Sequence, residues 1–437
     1  MEVETLGHAG MLIRDDAGAP VLFTDPWITG SCYWRSWWLQ HYPDEAQLEE
    51  LTRVAFCFVT HEHPDHFHTA SIRRLGRGIH YLCPDLPQEH IAAYLAQQGY
   101  AASVVPAFEW RTIHPGIRIL SIPMFNDDSL LLVDTPSAVL INLNDAKPWA
   151  SQLRRLDRLL DAAAPGKTRI LLSSYSPASV VNSFVRNSTR VGLREKADYV
   201  RYVGRNCELL NADCYMPFAS QVIFKRSDSA WANDFRVSME DLAAHWSASR
   251  TRLLPPFTRL DLRDLSHSFV APEQYRHDEE PLLEKVRAQE ALDAVARFDD
   301  ADIERLEQKL RHARWLLAAL FPRGIDFAFG DTSFHYSPWS SRCARTVNSV
   351  RGDITLHVPA QAFREALEYG HVGDLGTTMF TIITLHGRLH PRRVYLFFMV
   401  MSLNDYGHTR TFRNWFKWAR HAIAIHRWQV PVLPPPR

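Results

Sequence analysis

The 437-residue chain carries no excess of either charge, since Lys plus Arg and Asp plus Glu both total 49. Nucleic acid and anionic membrane surfaces therefore have no global electrostatic hold on it, and neither is expected as a partner. Cysteine is scarce. Cys32, Cys57, Cys83, Cys207, Cys214 and Cys343 stand apart with no CxxC pair. That spacing argues against a disulfide framework and fits a reduced, cytoplasmic protein. The longest apolar run, Val394 to Leu403, is too short to span a bilayer. No basic stretch followed by an apolar one opens the sequence, so no secretory leader is expected. These absences leave a globular chain, 46% hydrophobic and long enough for two or three domains, with a small-molecule substrate and self-association left open.

Histidine, by contrast, is plentiful, and it is concentrated in Thr60-His61-Glu62-His63-Pro64-Asp65-His66-Phe67-His68. The preceding run, Val54 to Val59, is apolar, too short for a helix and bounded by polar residues, so it reads as a buried strand. The histidines then occupy the loop at its C-terminal end, the edge where open α/β sheets collect ligands. In extended chain His61 and His63 point the same way, and Asp65 and His66 follow as the backbone turns. Imidazole nitrogens with carboxylate oxygens suit zinc, iron or manganese.

The pattern HxHxDH after a hydrophobic strand resembles the signature of the metallo-β-lactamase superfamily. The resemblance implies an α/β fold, an αββα sandwich with two sheets face to face and metals at one edge. It implies metal ligation by His61, His63, Asp65, His66 and Asp145, with Asp145 bridging at the end of the strand Ala138 to Ile141. Asp65 and Asp145 are the expected catalytic carboxylates, and Asp25, in Asp25-Pro26-Trp27, is expected to orient a ligating histidine. Two histidines usual in dinuclear members are missing. Asn126, Asp127 or Asp128 stands at the first position, with Asn126 and Asp128 expected beside the ligands, and Phe218-Ala219-Ser220 stands at the second. His8, in Leu6-Gly7-His8-Ala9-Gly10, reads equally as a site-lining or a structural residue.

These departures, with Thr29-Gly30, the Trp37-Trp38 pair, Asn144-Asp145 and Tyr215 to Ser220, resemble the CMP-N-acetylneuraminate hydroxylase branch over the N-terminal half. That branch implies a non-haem iron oxygenase with one or two ions. It also implies Rieske ligands, CxH followed by CxxH, which this sequence lacks. Electrons would then come from a separate donor protein. The alternative is a zinc- or manganese-dependent hydrolase of a phosphodiester, lactone or thioester, in which a bound metal activates water. The aromatic loop Thr29 to Pro43 and Tyr175 suggest a pocket wall, with Trp37, Trp38 and Tyr175 as substrate contacts.

Beyond this unit, expected over 1–245, residues 246–325 read as a connector with two helices. Residues 326–430 read as a smaller α+β domain weakly similar to sterol-carrier domains, and 431–437 as a proline-rich tail. The basic, aromatic segment Arg413 to Trp428 reads as a helix docked on its own domain.

Overall fold

The computed structural model describes residues 1–124, 127–177, 183–191, 195–269, 280–346 and 350–429. Strand Ser129–Asp134 shows how the sandwich is built. Leu131 and Val133 enter a core shared with Val3, Met11, Ile13 and Leu22, whereas Leu130 and Leu132 face the outer helices. Side chains alternate along a strand, so a strand buried on both faces must be apolar throughout. The sheet that contains it runs Arg252–Leu253, Cys214–Pro217, Thr168–Ser173, Ala138–Asn144, Ser129–Asp134, Ile117–Pro123 and Arg111–His114.

The facing sheet has eight strands: His267–Phe269, Thr258–Asp261, Glu2–Leu6, Gly10–Arg14, Pro20–Thr24, Phe56–Phe58, His80–Pro84 and Ala101–Val105. Helix Ala150–Ala163 covers the first sheet with Leu153, Leu156 and Leu160, a three-and-four spacing that puts them on one face. Helices Glu45–Leu51, Thr69–Leu75 and His90–Gln97 cover the second through Leu51, Ile72, Leu75 and Leu95. The layer order is αββα, as the histidine loop implies.

Residues 2–24 form a three-stranded meander. A turn at Gly7–Ala9 separates Glu2–Leu6 from Gly10–Arg14. Gly7 sits at φ +61°, and a Cβ there would lie 2.7 Å from the Trp27 carbonyl oxygen, so this turn requires glycine.

The expected unit boundaries also shift. Thr258–Asp261 pairs with Glu2–Leu6, so the sandwich extends past residue 245 to Phe269. In the other direction, Phe184–Arg186 pairs in parallel with Ile382–Leu385 and joins the C-terminal sheet. Sequence position did not reveal either exchange because strand pairing is set by hydrophobic faces, not by chain distance. The C-terminal sheet otherwise comprises Ile354–His357, Ile325–Phe329, Thr332–Ser337 and Arg342–Thr346, with Thr189–Arg190 at the other edge. Helices Asp300–Arg311, Arg314–Leu320, Ala360–Tyr369 and Arg392–Asp405 share its core. Asp300–Arg311 and Arg314–Leu320 follow one another closely, broken between Arg311 and Arg314.

Helix Phe412–Gln429 contacts Ala150–Ala163 of the sandwich and leaves Phe412, Trp415, Phe416 and Ile423 exposed, so it docks by only one face. No helix among the described residues is long and apolar enough to cross a membrane. The tail 431–437 lies outside the described residues.

Candidate metal centre

The strand Phe56–Phe58 is followed by Val59 and Thr60, where the chain leaves the sheet edge and the histidine loop begins. Asp25 fixes the departure. Its carboxylate accepts the Thr60 backbone N–H at 2.7 Å and the Thr60 hydroxyl at 2.9 Å. The same carboxylate accepts His66 Nδ1–H at 3.0 Å, which turns Nε2 of that ring towards the centre of the site. Asp25 adopts φ 44°, a left-handed conformation that Asp tolerates better than most side chains.

His61 Nδ1 lies 3.0 Å from the Thr60 hydroxyl and 3.3 Å from Asp128 Oδ1, so its Nε2 also points inward, 2.8 Å from His63 Nδ1. His66 Nε2 lies 3.5 Å from Asp65 Oδ2 and 3.6 Å from Asp145 Oδ2. His61, His66 and Asp145 each offer a ligand atom within 4.8 Å of the others, and so do His8, Asp65 and His66. His66 Nε2 is buried yet makes no hydrogen bond among the described residues. An inward-facing imidazole nitrogen between two carboxylates, with no partner, fits a cation held among them.

The surrounding charges oppose one another. Burial pushes His66 down, yet the Asp65 and Asp25 carboxylates overturn this and hold it well above the usual histidine range. Burial, then the neighbouring His66 and His63, keep His61 well below that range. Burial raises Asp65, but His66 and His8 outweigh it and hold the carboxylate ionised. Asp128 is pushed up to about 8 by burial and by the nearby Asp145. It accepts N–H bonds from Ser129 and the Asn144 amide, and so it props the His61 side of the site.

Sequence reading under-weighted three neighbours. The Tyr33 hydroxyl donates to Asp65 Oδ1 at 2.6 Å. It is brought there by Tyr33, Trp34 and Arg35, three consecutive left-handed residues with φ from 51° to 62°. Non-glycine residues in that region each cost on the order of 1 kcal/mol or more and persist only where packing enforces them. The aromatic loop was visible in the sequence, but its reach to Asp65 was not. His8 Nε2 lies 3.3 Å from Asp65 Oδ2. Asp374, on the short turn Gly373–Gly376 of the C-terminal unit, lies 4.0 Å from His63 Nε2, and nothing in sequence spacing announces it.

The residues expected as a pocket wall are buried. Trp37 and Trp38 are almost fully buried, with indole N–H groups bonded to the carbonyls of Thr377 and Arg35. Tyr175 is buried too, and its hydroxyl accepts the Gln221 side-chain N–H. Trp37 packs between units, whereas Trp38 and Tyr175 are buried within the N-terminal unit, since large amphipathic rings bury readily once their polar tip finds a partner. Asn126 lies outside the described residues. Asp127 turns away from the histidines and hydrogen-bonds His408 of the C-terminal unit.

No family model matches the chain. A Mycolicibacterium smegmatis protein described as a Rieske 2Fe-2S iron–sulfur protein is 30% identical over 161 residues, 34% of this chain and 30% of that protein. The cytidine monophosphate-N-acetylneuraminic acid hydroxylase of Danio rerio is 25% identical over 232 residues, 48% of this chain and 36% of the enzyme. The chain thus spans about a third of the length of these relatives. Among solved structures, Igni18, a metallo hydrolase from Ignicoccus hospitalis, aligns with 62% of this chain and 100% of its own, at 11% identity and a TM-score of 0.40. An isothiocyanate hydrolase from Delia radicum gut bacteria gives 12% identity, 62% and 100% coverage and a TM-score of 0.39. The N-terminal half of this chain has the αββα layer order and histidine loop of the metallo-β-lactamase fold, and its sequence relatives include these hydroxylases and Rieske-type proteins.

Proposed function

We propose that the chain is a metal-dependent enzyme whose ions are held by His61, His63, Asp65, His66 and Asp145. We further propose that the metal is iron and the reaction is oxygenation of a small molecule, with electrons from a separate protein. The observation that carries the metal is the buried His66 Nε2, which faces two carboxylates and has no hydrogen-bond partner among the described residues. Kinship with a hydroxylase supports iron, and so do ligand positions left without histidine at Asp128 and in the 218–220 loop. Iron held there would supply redox chemistry with O2, for which open coordination positions are needed.

The chain's own residues supply orientation and burial. Asp25 holds the His66 ring and Thr60, Asp128 and Thr60 flank His61 Nδ1, and Tyr33 holds one oxygen of Asp65. Asp145 keeps a partly exposed carboxylate, about a third open, on the side where a substrate would enter. The same nitrogen and oxygen donors suit zinc or manganese, so hydrolysis of a phosphodiester, lactone or thioester is the second reading.

Metal content of anaerobically purified protein separates the two. One or two irons per chain, lost in His61→Ala and Asp145→Ala, with O2 uptake on adding reductant, supports the oxygenase. Stoichiometric zinc without iron, and turnover of a hydrolysable ester, replaces it with the hydrolase. A chain that holds no metal under either condition loses both.

A further inference from the structure

His8 faces the site with one ring nitrogen and leaves the other unsatisfied among the described residues. The side chain is 1% exposed. Among the described residues Nδ1 is buried without a hydrogen-bond partner, and Nε2 faces Asp65 Oδ2 at 3.3 Å. A buried polar atom left unsatisfied costs about 1–3 kcal/mol, so a merely structural residue here would more cheaply be apolar.

Yet the ring is held firmly. Trp27, Trp37 and His66 surround it at centroid distances of 5.6, 6.2 and 5.5 Å. The turn that carries it depends on Gly7, as described above. Tyr33 occupies Oδ1 of Asp65, which leaves Oδ2 facing both His8 and His66.

The surroundings explain why histidine stands here. In the 218–220 loop, Phe218 and Ala219 fill the core between the sheets, and the Ser220 hydroxyl accepts the Tyr175 and Ser176 N–H groups. None of the three offers an imidazole. The Ala219 N–H, however, donates to the His8 carbonyl at 2.9 Å, so that loop backs directly onto the turn bearing His8.

We propose that His8 is a metal ligand, the third protein donor to the ion that Asp65 and His66 hold. It stands in for a histidine that the neighbouring loop lacks. The ligand class is a first-row divalent cation that accepts imidazole and carboxylate together. This rests on the metalloenzyme reading above and extends it by a residue from the first strand pair.

The test compares unaltered protein with His8→Phe and His8→Ala. Metal per chain is measured by mass spectrometry, and affinity by chelator competition with cobalt(II) as the probe ion. We expect both variants to release at least one ion that the unaltered chain retains, or to bind it more weakly by on the order of 100-fold or more, beyond the usual loss for a supporting residue. The metal-free His8→Phe protein should melt no lower than the metal-free parent, since it fills the ring's space and removes unsatisfied nitrogens. Unchanged stoichiometry and affinity in both variants, with metal bound normally by the parent, overturns the role of His8 alone. A parent that takes up no cobalt overturns the metalloenzyme reading and this proposal with it.

Discussion

The indole N–H of Trp37 donates to the carbonyl oxygen of Thr377 at 2.9 Å, across a sequence separation of 340 residues. Beside it the Ser36 hydroxyl donates to the Thr378 carbonyl at 2.5 Å. The loop that presents Tyr33 to Asp65 is therefore clamped between sandwich and C-terminal unit, and the site inherits its shape from both.

Trp37→Ala should destabilise the protein by about 3–5 kcal/mol, the usual range for emptying a buried indole site. Trp37→Phe should retain most of the packing and lose about 1 kcal/mol for the missing hydrogen bond. Urea denaturation checks both. A Trp37→Ala protein of parental stability would show that the clamp is slack.

Arg226 closes the same junction. Its guanidinium is 1% exposed, pairs with Asp228 at 2.7 Å and Asp293 at 2.8 Å, and lies over the Phe380 ring at 4.5 Å. Arg226→Met leaves the buried Asp293 carboxylate without its cation. The expected loss is roughly 3–5 kcal/mol, larger than for any exposed ion pair on the surface. Double substitution with Asp293→Asn should recover part of it, and a thermodynamic cycle of the four proteins reads the coupling.

Asp25→Asn removes the anion behind His66 while remaining compatible with the left-handed backbone at that position. Metal affinity should fall by about 10–100-fold, the usual consequence of losing the group that orients a ligating imidazole. Chelator competition on folded protein measures it. Unaltered affinity would mean that His66 is positioned without Asp25.

His68 gives the protein a pH dependence. Its Nδ1 accepts the Ser71 N–H at the start of helix Thr69–Leu75, so it caps the helix only as a neutral ring. Burial pushes it down to about 4 from 6.5. Between those values the unfolded chain binds a proton that the folded chain refuses. Its stability contribution is therefore complete above pH 6.5 and declines as pH falls towards 4, by up to roughly 3 kcal/mol. His68→Asn keeps a capping oxygen without a titrating ring. The difference in unfolding free energy between parent and variant should shift in favour of the variant from pH 7.5 to pH 5. A difference independent of pH would place the acid sensitivity elsewhere.

The sandwich was legible because its strands are short apolar runs and its helices repeat at three and four. His61 to His66 were legible because the donors are packed into one loop, and Asp25 and Asp145 because each ends a strand. Tyr33 and His8 are single residues whose meaning depends on which turn faces which, and turns carry little hydrophobic signal. Trp37, Trp38 and Tyr175 are buried, and their sequence signal could not tell packing from a pocket, since aromatic content marks either. Asp374 was out of reach altogether, as no local pattern ties a turn of the C-terminal unit to the first histidine loop.

The strand Phe184–Arg186 finds its partner at Ile382–Leu385. On a ribosome that adds about 5–20 residues per second, the earlier strand emerges roughly ten seconds or more ahead of the later one. During that interval the strand is paired only with its hairpin neighbour Thr189–Arg190, its other edge is open, and the aromatic loop is unclamped. This stretch is where a chaperone has most to shield, and where a truncated chain would be most prone to aggregate.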